Sequence, residues 1–187
     1  MAKLVVVDPG HGGSDSGATG QGLKEAALTL TLSKRLRAAL LRDFDVRVEM
    51  TRTTDRAVEL DSRAKFANDL GADYFVAVHI NSGGGTGYED FVHRSAAPNS
   101  TTSKRRAAVH DAVTSFMKTH GMTDRGKKSA NFAVLRKTNM PAILTENLFI
   151  DTPNDARLLK DDAFLTGVAE AHAKGIAAAL ALPHRSG

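Results

Sequence analysis

The chain has 187 residues, no cysteine and a formal net charge of +4. This length suits a single domain that buries about 70% of its unfolded surface, so folding requires neither disulfides nor a structural metal. The absence of cysteine excludes thiolate zinc sites and cysteine nucleophiles, which leaves His, Asp and Glu as candidate metal ligands.

The amino terminus lacks the pattern of an export signal. Met1 to Lys3 lead directly into the first apolar stretch, with no charged segment followed by an apolar one. No apolar run is long enough to span a bilayer. We therefore expect a soluble protein that is made in the cytoplasm and has no membrane partner.

The first predicted strand, at residues 4–7, ends in a glycine-rich segment that contains His11. An unbroken apolar run indicates a strand buried on both faces, and glycines allow a sharp turn after it. The next helix is predicted at residues 24–41, and Glu25 precedes its apolar stripe by three positions, on the side that faces the core. A carboxylate in a first helical turn often interacts only with the helix dipole, and this alternative stays open. An unpaired buried carboxylate is unfavourable, however, and a bound metal would relieve it.

Predicted strands and helices alternate along the rest of the chain, which is typical of a mainly parallel sheet covered by helices. Further strands are predicted at residues 46–50, 74–78, 88–92, 133–135 and 142–145. Further helices are predicted from residues 51–55 to 71, at 102–119 and at 162–182. We predict one α/β domain over residues 1–182, with a twisted sheet of about six strands and helices on both faces. Residues 183–187 are interpreted as a tail or a truncated linker.

Three polar side chains, those of His11, His79 and Glu146, follow predicted strands at or near their ends. Because the carboxyl ends of parallel strands meet at one edge of a sheet, these side chains can converge. His11, His79 and Glu25 make up the two-His-one-Glu set of catalytic zinc, which leaves a fourth position for water. Glu146 lies outside this set and could take the proton of that water and pass it to a leaving amine.

Each of these residues alone has a structural alternative. A single histidine at a strand end, such as His79, is more often structural than a ligand. His172 lies on the apolar stripe of the last helix, which indicates a hydrogen-bonded core residue. No convergent carboxylate is apparent in the sequence for the other histidines, which are His93, His110, His120 and His184. The glycine-rich loop lacks the ending of a P-loop and the spacing of a dinucleotide fingerprint, and no Gly-x-Ser-x-Gly elbow is present.

Residues 101–140 contain nine Lys or Arg against only Asp111 and Asp124, a local balance of +7. A solvated basic face is the default interpretation, and association with an anionic partner is the alternative. The cations are not interleaved with aromatic residues as on a nucleic-acid stacking surface. Nucleic acid is therefore not an expected partner.

Short motifs are spread over nearly the whole chain: residues 7–13, the helix start at Glu25, Thr51-Arg52 with Asp55, Arg63, Ala67-Asn68, Ala72-Asp73, residues 78–81, Asp124-Arg125-Gly126 and residues 144–147. Jointly they resemble the zinc-dependent N-acetylmuramoyl-L-alanine amidases of the amidase-3 type, which include sporulation and autolytic wall enzymes and phage endolysins. One departure is Leu148, which stands where many relatives have the glycine of Glu-x-Gly-Phe.

The resemblance implies that His11, Glu25 and His79 bind Zn²⁺ and that Glu146 is the catalytic acid and base. The bond cut would join the lactyl group of N-acetylmuramic acid to L-alanine in peptidoglycan, so the protein would act on the cell wall after release. Anionic wall polymers are a second candidate partner.

The segment between His79 and residue 102 leaves little room for the inhibitory helical insertion of partner-activated relatives. We therefore expect a member of the unregulated branch. A monomer is also expected. The alternatives are a zinc peptidase that cuts within the stem peptide and a non-catalytic wall-binding module.

Overall fold

A six-stranded sheet forms the centre of the computed structural model, which describes residues 2–185. The strands are β1 (Lys3–Pro9), β2 (Thr19–Gly20), β3 (Leu23–Lys24), β4 (Val46–Met50), β5 (Tyr74–Asn81), β6 (Tyr88–His93), β7 (Asp124–Ala130) and β8 (Ala142–Phe149). β2 pairs with β3, and the other six are ordered β4-β1-β5-β8-β6-β7. Within this sheet only the pairing of β6 with β8 is antiparallel among the described residues. The predicted mainly parallel sheet of about six strands is confirmed.

Helices cover both faces of the sheet, as predicted. They are α1 (Glu25–Asp43), α2 (Leu60–Asp69), α3 (Thr101–Thr119), α4 (Ala133–Arg136), α5 (Pro153–Leu159) and α6 (Asp162–Leu180). Because side chains alternate along a strand, Val5 and Val7 of β1 pack in the core with α1, α3 and α6, whereas Leu4 and Val6 pack with α2 and α4. The second face carries α2 and α4, which are both shorter than α1, α3 and α6, and it is the more open one.

The helix predicted to open at residues 51–55 begins instead at Leu60. The preceding segment is held as a loop because its polar groups bond to the end of β1. The Thr51 hydroxyl donates to Asp8, and the Arg52 guanidinium donates to the carbonyls of Pro9 and Gly10. Hydroxyl and carboxylate residues that are typical of a helix start therefore serve tertiary contacts here.

The strand predicted at residues 133–135 was also wrong, because these residues form the helical turn α4. Periodicity cannot distinguish a short apolar run in a strand from one in a helix, and Val134 and Leu135 are buried in either case. Within the six-stranded sheet, the strand that was not predicted is β7, whose polar sequence includes Lys127 and Lys128. Such a composition is typical of an edge strand, where lysines oppose pairing with other chains. The short pair β2 and β3 and the helix α5 were not predicted either.

The end of the described chain returns to the end of α1. The Asp45 N–H donates to the Pro183 carbonyl and the Arg185 N–H donates to the Asp43 carbonyl. Ser186 and Gly187 lie outside the described residues, and the boundary at residue 182 stays a prediction. Between residues 2 and 185 no helix combines the length and the apolar character that crossing a membrane requires.

Candidate metal centre and catalytic site

The neighbouring strands β1, β5 and β8 bring three of the predicted site residues to one edge of the sheet. β5 runs parallel to both β1 and β8, and His79 is directly opposite Glu146 in the β5–β8 register. His11 follows β1, and Glu25 is the first residue of α1. The structure therefore places all four residues together.

Three side-chain atoms converge on a position suited to a metal ion. Oε1 of Glu25 lies 3.2 Å from Nε2 of His11 and 3.1 Å from Nδ1 of His79. Ligand atoms in a tetrahedral zinc site with bonds of 2.0–2.1 Å are about 3.3 Å apart. The donor types and their spacing therefore fit zinc.

Glu25 is buried, and both of its carboxylate oxygens contact other groups of the site. Its Oε2 accepts from the Ala18 N–H and its Oε1 from the Ile80 N–H, in addition to facing the two imidazoles. Although burial opposes ionisation, the hydrogen bonds with His11 and His79 hold the pKa of Glu25 well below its usual range. The alternative of a solvated carboxylate that interacts only with the helix dipole does not describe this residue.

The carboxylate of Glu25 acts on His11 in return. Its hydrogen bond with Nε2 raises the pKa of His11 to about 9, against the effect of partial burial. A metal can bind Nε2 only after the proton has left, so binding at this position competes with protons.

Asp15, which the sequence analysis missed, holds the other nitrogen of His11. Its Oδ2 lies 2.8 Å from Nδ1, and its Oδ1 accepts from the Gly17 N–H. A carboxylate on the far nitrogen fixes the imidazole tautomer that leaves Nε2 free for a metal. The available signal was the spacing of four residues between His11 and Asp15 within the glycine-rich loop.

Two positions require glycine because side chains of the site lie very close to their backbone. A Cβ atom at Gly10 would lie 2.4 Å from Cε1 of His79. Gly17 has a φ of +62°, and a Cβ there would lie 2.7 Å from Oε2 of Glu25. Any side chain at either position would displace a proposed ligand.

Two buried arginines fasten the loop of His11 to its surroundings. Arg52 donates to the Gly10 carbonyl and to the Ala26 carbonyl in the first turn of α1, both at 2.8 Å. Arg63 donates to Asp8 and, at 2.8 Å, to the carbonyl of His11 itself. His11 has a φ of 60°, a conformation that non-glycine residues rarely adopt unless surrounding contacts impose it. These arginines thus fix the positions of His11 and Glu25, two of the candidate ligands, relative to each other.

Glu146 lies beside the three converging atoms but forms no hydrogen bond with them. Its Oε2 is buried and has no hydrogen-bond partner among the described residues. Burial raises the pKa of Glu146 to about 7, while His79 acts in the opposite direction. A carboxyl group with a pKa near neutrality can both accept and return a proton.

A cavity of about 550 Å³ opens from this cluster toward α2 and α4. His11, His79 and Glu146 form its base, and Leu60 and Phe132 are among the residues of its apolar wall. Both apolar side chains are exposed. The site is therefore accessible from the face of the sheet that the helices cover least.

Leu148, the departure from the family pattern, adopts the conformation that glycine favours. Its φ is 69°, and its side chain is fully buried in the core. The backbone after Glu146 therefore follows a path suited to a glycine at this position, with leucine packing as compensation for the strained φ.

Two of the remaining histidines, His172 and His110, are buried and have different partners. His172 is buried, Nδ1 lies 2.9 Å from the Val168 carbonyl, and burial lowers its pKa to about 4, so the interpretation as a core residue fits. His110 does have carboxylate partners, which the sequence did not reveal. Its Nδ1 lies 2.7 Å from Asp90 and its Nε2 lies 3.2 Å from Asp124, residues distant in sequence that β6 and β7 bring together.

The basic segment 101–140 does not form one continuous cationic surface. Lys118 and Lys127 pair with the two carboxylates of the same segment, Asp124 and Asp111. Arg125 and Lys128 pair with Glu89 of β6, and Lys137 with Asp61 of α2. Carboxylates outside the segment therefore offset part of its charge.

Comparison with known proteins identifies the family to which this chain belongs. The N-acetylmuramoyl-L-alanine amidase family matches residues 5–178. The endolysin of Bacillus phage SPP1 is 47% identical over 100% of this chain and 69% of its own length. The sporulation-specific N-acetylmuramoyl-L-alanine amidase of Bacillus subtilis is 44% identical over 100% of this chain and 71% of its own length. The crystal structure of an N-acetylmuramoyl-L-alanine amidase from Clostridium difficile 630 superposes with a TM-score of 0.90 at 32% identity, covering 96% of this chain and 97% of that one.

Proposed function

Because the chain belongs to the N-acetylmuramoyl-L-alanine amidase family, we propose that it hydrolyses the amide bond between N-acetylmuramic acid and L-alanine in peptidoglycan, with zinc as its cofactor. The observation that carries the proposal is the convergence of His11, Glu25 and His79 at the spacing of zinc ligands, beside the buried Oε2 atom of Glu146. This arrangement supports hydrolysis because it combines a metal site with an unoccupied acid-base group.

In the proposed mechanism His11, Glu25 and His79 hold the ion, and Asp15 and the two buried arginines keep the ligands in place. Bound zinc would supply a Lewis acid that polarises the scissile carbonyl and lowers the pKa of water to about 7. The cavity wall with Leu60 and Phe132 excludes water from one side of the substrate.

Glu146 transfers the proton in this proposal. It accepts the proton of the attacking water and then donates it to the nitrogen of L-alanine, so that the leaving group departs as a neutral amine. Its burial supports the role, because a carboxyl group with a pKa of about 7 loses and regains a proton with little change in free energy at neutral pH.

Digestion of purified peptidoglycan tests the proposal. We expect new amino groups that mass spectrometry identifies as N-terminal L-alanine, no new reducing sugar ends, loss of the products after chelation and their return with zinc. Release of peptides cut within the stem would indicate a peptidase instead. Binding to walls without any released amino group would indicate a wall-binding module.

We also propose that residues 101–140 assist association with anionic wall polymers. The remaining positive charge of this segment supports the proposal, although several of its cations are paired. Because salt screens exposed charges over about 8–10 Å at physiological ionic strength, turnover on intact walls should fall with salt more steeply than turnover on a small muropeptide. Identical salt curves would contradict this role.

A further inference from the structure

Two cations of β7 lie near the candidate site, separated from Glu146 of β8 by the strand β6. Arg125 and Lys128 of β7 both donate to Oε2 of Glu89, with the Arg125 Nε at 2.8 Å. Glu89 is directly opposite Glu146 in the β6–β8 register, so its side chain lies on the same face of the sheet. The cations are therefore held on the same face of the sheet as the proposed proton-transfer residue.

The cluster is organised by buried groups. The Glu89 side chain is only 7% exposed, and its Oε1 accepts from Nδ2 of Asn81 at 2.8 Å. The guanidinium of Arg125 lies 4.7 Å from the ring centroid of Phe149. Asn81 and Phe149 thus fix the carboxylate and the guanidinium, which reduces the entropy lost when either cation binds a ligand.

Two positive charges share one carboxylate, so the cluster has a net charge of +1. The side chains of Arg125 and Lys128 remain 31% and 39% exposed. Arg125 uses only Nε for Glu89, and its two terminal nitrogens make no hydrogen bond to the described residues. These nitrogens form a planar pair of donors that suits a carboxylate.

On the premise of the proposed amidase function, we infer that Arg125 and Lys128 bind the free α-carboxylate of the glutamyl residue that follows L-alanine in the stem peptide. The glycan side of the scissile amide is uncharged, so the anion lies on the peptide side. An extended peptide covers about 3.3–3.6 Å per residue, and neighbouring strands are about 4.8 Å apart. The second stem residue would therefore reach the β6–β7 side of Glu146.

Two soluble N-acetylmuramoyl tripeptides that differ only at this group, carboxylate in one and carboxamide in the other, provide the test. We expect the zinc-loaded protein to cleave the carboxylate form with a kcat/KM about tenfold higher, as one charge-assisted hydrogen-bonded contact allows. Arg125→Met or Lys128→Met should reduce this ratio to near one, mainly through KM. Arg125→Lys should retain part of it.

Lys127→Met is the matched control. Lys127 lies on the same strand and carries the same charge, but it pairs with Asp111 of α3 on the opposite face of the sheet. This variant should keep the wild-type ratio. Equal kcat/KM values of the wild type for both substrates, or a ratio that survives in Arg125→Met and Lys128→Met, would overturn the inference. Absence of L-alanine release from both substrates would instead contradict the proposed function.

Discussion

Two clusters of histidine and carboxylate in the described residues differ in the direction of their ligand atoms. In the first, His11, Glu25 and His79 direct three ligand atoms to one place, within 4.8 Å of one another. In the second, the carboxylates of Asp90 and Asp124 lie on opposite nitrogens of His110, at 2.7 and 3.2 Å. Ligand atoms converge in the first cluster and diverge in the second.

The surroundings of the two clusters differ as well. The first cluster borders the cavity on the open face of the sheet, whereas His110 and Asp90 are buried between β6 and α3, where the Tyr88 hydroxyl also donates to Asp90. Proximity of histidine to carboxylate is thus common to a candidate metal centre and a buried structural network. Convergence on an accessible position distinguishes them.

The largest expected effect comes from removing the central carboxylate of the first cluster. Glu25→Ala deletes the atom that faces both histidines, so we expect loss of bound zinc and a decrease in kcat/KM on the order of 10⁴. Metal analysis after dialysis, together with L-alanine release, measures both. Stoichiometric zinc in this variant would contradict the ligand assignment.

The next largest effect should distinguish the proposed acid-base residue from the proposed metal ligands. Glu146→Gln keeps the shape but cannot accept and return a proton, so kcat should fall by about 10² to 10⁴. Zinc content should stay near one per chain. If this variant lost its zinc while Glu25→Ala kept it, the two carboxylates would have exchanged roles.

A change in the second cluster should affect stability and not metal binding. His110→Ala leaves the buried Asp90 without its histidine, so the free energy of unfolding should decrease by about 3 kcal/mol. Denaturant titration measures the loss, and zinc stoichiometry of the folded variant should equal that of the wild type. A loss of zinc in this variant would mean that the two clusters are coupled.

A smaller effect is expected for the residue that orients His11. Asp15→Asn keeps a polar partner at Nδ1 but removes its charge, and changes of this kind weaken metal affinity by about 10- to 100-fold. Competition with a chelator measures the affinity. Wild-type affinity in this variant would show that the contact of 2.8 Å does not influence the metal.

The smallest expected effect is a pH dependence of zinc affinity, which should arise from the first cluster alone. Because the pKa of His11 is raised to about 9, zinc must displace a proton below that pH, and apparent affinity should weaken by up to about tenfold per unit as pH falls from 9. The same proton stabilises the metal-free protein, a contribution that is complete below the ordinary pKa of 6.5 and lost as pH rises through 9. An affinity that is independent of pH, after correction for the chelator, would contradict a protonated His11.

Sequence patterns located the first cluster because its residues follow features that can be recognised locally. His11 follows β1, and His79 and Glu146 lie toward the carboxyl ends of β5 and β8. The order β1-β5-β8 makes these strands neighbours. Glu25 could be recognised because it shares the helical spacing of the apolar stripe of α1. Their placement at one edge of the sheet follows from these patterns, whereas their roles stay predictions.

Features that depend on contacts distant in sequence could not be recognised in this way. The pairing of His110 with Asp90 requires knowledge that α3 packs on β6, and the role of Arg52 as a loop anchor requires the position of the Gly10 carbonyl. Residues 133–135 are apolar in either a strand or a helix, and only their packing on the sheet decides between the two. The polar strand β7 has no hydrophobic pattern because it lies at an edge.

The proposed ligands of the first cluster come from three separate elements, since His11 follows β1, Glu25 begins α1 and His79 belongs to β5. A metal bound to all three would act as a removable cross-link. A ligand present at 1,000 times its Kd stabilises the folded state by about 4.1 kcal/mol. The persistence of the folded chain against proteases would then depend on the free metal concentration of its surroundings, so the same ion would govern how long the protein survives there.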